Sequence, residues 1–131
     1  MTVSTTLRAC LAGLAVALSS ATTLAGGSDY EFQPIEIDVR NGAGSELAVR
    51  LVHKSTGKPV DGAVIFRTRL DMAPDNMAGM TAEHAAMPAA EPGVYRFKAD
   101  LTMAGGWAFR IMAKVPGEKN TVEGVVVFQA K

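Results

Sequence analysis

The chain has 131 residues, with 13 basic and 13 acidic side chains and a single cysteine, Cys10. A formal net charge of zero gives no excess of cations for nucleic acid or an anionic membrane surface. Beyond Cys10, no thiol is available for a disulfide framework or a thiolate site.

The first residues read as an export signal. A short polar start carrying Arg8 is followed by the apolar run Leu11 to Leu18 and then by small residues through Thr23 and Ala25, the pattern of a cleavable signal peptide. Eight helical residues rise about 12 Å, whereas a bilayer requires roughly 20 residues, so no permanent anchor is expected. The expected signal peptide is residues 1–25, with the mature chain starting at Gly26 in the periplasm. Cys10 precedes the apolar run, which argues against lipidation. Residues 26–131 have a net charge near −1 and the usual length of one domain.

From Phe32 onward, short alternating runs separated by turn residues predict an all-β domain. Ile35, Ile37 and Val39 give a first strand with one buried face, closed by a hairpin turn at Asn41-Gly42-Ala43-Gly44. Leu47, Val49 and Leu51 form the buried side of a second strand, which ends near His53. A loop over 55–62 leads to a third, with Val64, Phe66 and Leu70 on one side and Ile65, Arg67 and Arg69 on the other. Tyr95, Phe97, Ala99 and Leu101 alternate in a fourth, and Trp107, Phe109, Ile111 and Ala113 in a fifth, after a tight Gly105-Gly106 turn. Val122 to Phe128 closes the domain. With a further strand near Thr81 to Ala86, about seven strands predict a two-sheet β-sandwich.

Residues 71–88 fall outside this pattern and read as a long loop, a length that is usually functional. They hold Met72, Met77, Met80, His84 and Met87, while Met103 lies in the turn before Trp107. Loops of a sandwich cluster at its two ends, so these groups are expected to meet. Thioether sulfur is soft and uncharged and favours Cu(I). It also survives in an oxidising compartment where thiols are lost. Met72, Met77, Met80, His84, Met87 and Met103 are therefore the candidate ligands, and copper as Cu(I) is the expected ion. Met112 and His53, on strands, read as structural. No Gly-x-Ser-x-Gly nucleophile turn occurs, and a blue-copper centre needs a cysteine ligand. The acids Asp71, Asp75, Glu83 and Glu91 read as solvated. A binding protein is expected, not an enzyme.

Thr56-Gly57-Lys58-Pro59-Val60-Asp61-Gly62-Ala63, the run from Met72 to Met80, Glu91-Pro92-Gly93-Val94-Tyr95-Arg96-Phe97 and Leu101-Thr102-Met103-Ala104-Gly105-Gly106-Trp107 together resemble the YtkA-like, or FixH-like, periplasmic domains. The resemblance implies an immunoglobulin-like sandwich and a role in copper handling, with Met72, Met77, Met80 and Met103 as ligand sources. It also implies partners such as a membrane copper transporter, an efflux system or an oxidase-assembly protein. The retained N-terminal helix of FixH proteins is not matched by the expected cleavage here. A second function fits the same features: a metal-free interaction domain whose Met-rich loop docks on such a partner.

Overall fold

The computed structural model describes residues 29–88 and 91–131; the expected signal peptide and its cleavage point lie outside them. Nine strands are found among the described residues: β1 (Tyr30–Pro34), β2 (Asp38–Val39), β3 (Gly42–His53), β4 (Val64–Met72), β5 (Met77–Thr81), β6 (His84–Met87), β7 (Val94–Leu101), β8 (Gly105–Lys114) and β9 (Val122–Ala130). They form two sheets, ordered β1-β3-β7-β6 and β2-β9-β8-β4-β5. This is the expected immunoglobulin-like two-sheet sandwich, with three short edge strands beyond the main pattern.

Period-two alternation places every second side chain of a strand on the inner face. Leu47, Val49 and Leu51 of β3, Phe97, Ala99 and Leu101 of β7, Trp107, Phe109, Ile111 and Ala113 of β8, and Val122, Val126 and Phe128 of β9 are all buried in one core. Each fully buried large side chain contributes about 1.5–3 kcal/mol of transfer free energy, so this inner layer supplies most of the drive for the two sheets to close. Among the described residues, no helix is long and apolar enough to cross a membrane.

Four sequence expectations change. The first strand does not bury Ile35 and Ile37, which are exposed. Tyr30 and Phe32 are buried instead, and the chain leaves the first sheet after Pro34 to pair β2 with β9 in the second. Pro34 has no N–H to continue a ladder, which suits the switch between sheets. The residues around Asn41 consequently do not close a hairpin: β2 and β3 lie in different sheets, and Gly42 and Gly44 use their positive φ at an irregular start to β3.

In β4, a register shift between Ile65 and Arg67 inserts Phe66 as an extra residue. A one-residue bulge exchanges the faces on one side of it. Val64 and Phe66 therefore face solvent, while Ile65 packs against the core and Leu70 is buried.

The 71–88 segment, expected as a long loop with one possible strand, is mostly ordered as two edge strands, one in each sheet. β5 pairs with β4, and β6 with β7. Ala, Gly and Met in these strands carry too little contrast between faces for the alternation to show in the sequence.

Candidate metal centre

β4 ends at Met72, which is fully buried. A single 3-10 turn over Ala73–Asp75, with Pro74 inside it, then reverses the chain, and Asn76 completes the reversal in the left-handed region at φ 59°. Asparagine tolerates that region better than most residues. β5 returns along β4 with Met77 opposite Met72, yet Thr81 opposite Asp71. One step along β4 thus corresponds to four along β5, and Ala78, Gly79 and Met80 bulge between the two pairs. Strict alternation would place Met77 and Met80 on opposite faces. The bulge instead lets both pack, half-buried, against the same core as Met72.

Hydrogen bonds fix this turn at both ends. Asp71, 1% exposed, accepts the Ala73 N–H on Oδ1 at 3.0 Å, and on Oδ2 the Nε–H of Arg69 at 3.0 Å and of Arg110 at 3.1 Å. Burial alone would raise the Asp71 carboxyl above its ordinary range. The Ala73 N–H and the guanidinium groups of Arg110 and Arg69 outweigh it and hold the group below that range. Arg69 also donates from Nη2 to the Ala78 carbonyl at 2.8 Å, inside the bulge. At the other end, Asp75 accepts the Gly106 N–H at 3.1 Å.

Gly105 sits beneath this contact at φ 137°. A Cβ there would meet the Asp75 carboxylate and lie 2.9 Å from the Met72 methyl carbon. The turn that precedes β8 is held in the same place by Trp107, whose indole N–H donates to the Met103 carbonyl at 3.0 Å. Met103 is 40% exposed and stands two residues from the glycine that Met72 overlies. Met72, Met77, Met80 and Met103 thus occupy one end of the sandwich.

His84 and Met87 belong elsewhere. His84 points inward from β6, with its ring 5.4 Å from that of Phe109 in an edge-to-face arrangement. Its Nδ1 lies 3.0 Å from the Ala82 carbonyl, which can only accept, so Nδ1 carries the proton. Nε2 is 2.5 Å from the Thr68 hydroxyl, a contact that joins the two sheets. Both ring nitrogens are therefore engaged, one by Ala82 and one by Thr68. Met87 pairs with Arg96, whereas His84 pairs with Ala99. Three residues apart on a regular strand, the two side chains take opposite faces, and they do not converge. The remaining candidates are separate again: His53 packs its ring 4.7 Å from that of Tyr30, and Met112 lies on the outer face of the second sheet between Arg67 and Glu123.

Asp71 was expected to be solvated and is instead buried, and the alternation Arg67, Arg69, Asp71 on one strand face was the available sign. Asp75 is exposed, as expected, and also accepts the Gly106 N–H. Among the described residues no group of three or more His, Cys, Asp or Glu could hold a metal ion. The Met end offers neutral thioethers, which suit a soft monovalent ion better than a hard divalent one, with the Asp75 carboxylate beside Met72 accepting the Gly106 N–H.

No curated protein matches the chain. Among solved structures, the Lin-41 filamin domain is similar at 16% identity with a TM-score of 0.42, covering 73% of this chain and 91% of that one. A conjugative transposon lipoprotein from Bacteroides eggerthii DSM 20697 is similar at 16% identity with a TM-score of 0.34, covering 76% and 96%. The sequence profile described as YtkA-like matches residues 24–112, more than half of the chain, and the protein belongs to that family.

Proposed function

We propose that this domain is a periplasmic Cu(I)-binding protein, a chaperone or buffer in copper resistance or delivery, and not an enzyme. The observation that carries the reading is the β4–β5 bulge, in which Met72, Met77 and Met80 share one corner of the core. Met77 and Met80 would bind the ion first, being half-buried, with Met72 and the exposed Met103 completing the set. His84 would join only by giving up its bond to Thr68. Copper is cargo in this scheme. Its partner would be a membrane copper transporter, an efflux system or an oxidase-assembly protein.

The test is competition between the protein and a chromophoric Cu(I) chelator under anaerobic conditions. We expect binding of about one equivalent. Replacing Met77 and Met80 together by leucine conserves volume and should cost the fold less than about 1.5 kcal/mol, yet weaken copper binding at least tenfold, or about 1.4 kcal/mol. No competition at micromolar protein would refute the proposal, as would a leucine pair that binds as well as the native protein.

A further inference from the structure

The outer face of the second sheet carries a feature that copper binding does not use. The registers of β4, β8 and β9 place Arg67, Met112 and Glu123 in one row, Arg69, Arg110 and Val125 in the next, and Asp71, Ala108 and Val127 in a third. Paired residues of a sheet share a face. The first two rows line an open cavity of about 400 Å³. Val125 and Val127, 53% and 41% exposed, extend an aliphatic strip beside the arginines.

The arginines are held, not merely present. Buried Asp71 takes the Nε–H of both Arg69 and Arg110, which fixes the two guanidinium planes while their side chains remain about half exposed. Among the described residues, Arg110 keeps both of its Nη groups free of partners, and the Arg67 side chain makes no hydrogen bond. Three cations thus stand against one exposed acid, Glu123, on a face that also offers valine side chains. A fixed guanidinium fork matches a carboxylate in a directional, bidentate way.

We propose that this face is a docking surface for an extended acidic segment of a partner protein, with carboxylates on Arg67 and Arg110 and aliphatic side chains on Val125 and Val127. Charge complementarity selects this occupant. A second copy packed through the same face would set arginines against arginines, and the outer face of the first sheet offers Glu46 already paired with Arg96, with Lys98 beside them. A membrane surface calls for a cluster of about 4–8 Lys or Arg, more than the three arginines of this face, two of which are locked by a buried aspartate. The patch is also joined to the methionine corner: Asp71 holds Ala73, and Arg69 holds Ala78. A docked segment therefore lies against the bulge between Met77 and Met80.

The experiment uses the metal-free mature protein, so that failure of the copper reading leaves it intact. Isotope-labelled protein is titrated with a short peptide of repeated Glu-Glu-Leu-Leu, which in extended form carries both residue types on each face, to about 1 mM, and amide shifts are mapped by NMR. We expect saturable shifts confined to β4, β8 and β9 around Arg67, Arg110 and Val125. They should weaken as salt shortens the screening length from about 10 Å at 0.1 M to about 3 Å at 1 M. Arg67→Glu and, separately, Val125→Asp should each reduce the affinity at least fivefold while the rest of the spectrum shows the fold unchanged. Absence of shifts, shifts centred elsewhere, or equal binding of a lysine–leucine peptide would overturn the proposal. So would a response to phosphatidylglycerol vesicles without one to the acidic peptide.

Discussion

Replacing Asp71 by asparagine tests the physical account of the Met corner most directly. The side chain is 2% exposed and receives two guanidinium Nε–H groups and one backbone N–H. Each charge-assisted bond is worth about 1.5–3 kcal/mol when buried, and breaking a buried ion pair costs about 3–5 kcal/mol. Both arginine side chains are about half exposed, at 53% and 46%, so water takes over much of their interaction and the figure must be discounted. Asparagine also keeps an acceptor for Ala73. The expected loss is therefore about 2 kcal/mol near neutral pH, or about 8–16 °C in Tm for a domain of this size.

The pH dependence has a definite sign. The folded state holds Asp71 below its ordinary pKa, so its stabilisation is complete above the unfolded value of about 3.9. It is lost as pH falls through the lower folded-state value, because across that window the unfolded chain binds more protons. The amide of the Asp71→Asn variant cannot titrate. Urea unfolding of both proteins from neutral to strongly acidic pH should show a gap of about 2 kcal/mol that narrows below about pH 4. A neutral-pH gap under about 0.5 kcal/mol, the usual range for an inert surface change, would refute the argument, as would a gap independent of pH.

Two further substitutions follow from the same geometry. Gly105→Ala puts a Cβ against the Asp75 carboxylate and the Met72 methyl at φ 137°; it should cost at least about 2 kcal/mol in denaturant unfolding through strain and lost contacts, and an unchanged midpoint would show that the corner is not tightly packed. Thr68→Val removes the hydroxyl bonded to His84 Nε2, and should destabilise the fold by about 1 kcal/mol; equal stability in urea would mean that the bond between the sheets is replaced by water at no loss.

Alternation is a local property, and where burial on one face was deep the sequence alone carried it. Trp107, Phe109, Ile111 and Ala113 could only be one face of a strand, and so could Leu47, Val49 and Leu51. Their faces follow from the two-residue period whatever the strand pairs with. The soft-ligand inventory was equally legible, since it depends on residue types alone: no cysteine beyond Cys10, and four methionines between residues 72 and 87.

Pairing decided the rest, because it joins residues far apart in the chain. Only the register of β4 against β5 shows that Met77 and Met80 share a face with Met72, and only the assignment of β6 to the other sheet separates His84 and Met87 from them. The extra residue at Phe66 reversed the reading of Val64 and Ile65 through a bulge that no periodicity announces. Asp71 looked like a solvated acid because its partners, Arg69 and Arg110, converge on it from two strands. A carboxylate is stable in such a buried position only when those partners are supplied, and supplying Arg110, from 39 residues further along the chain, is the work of the tertiary structure.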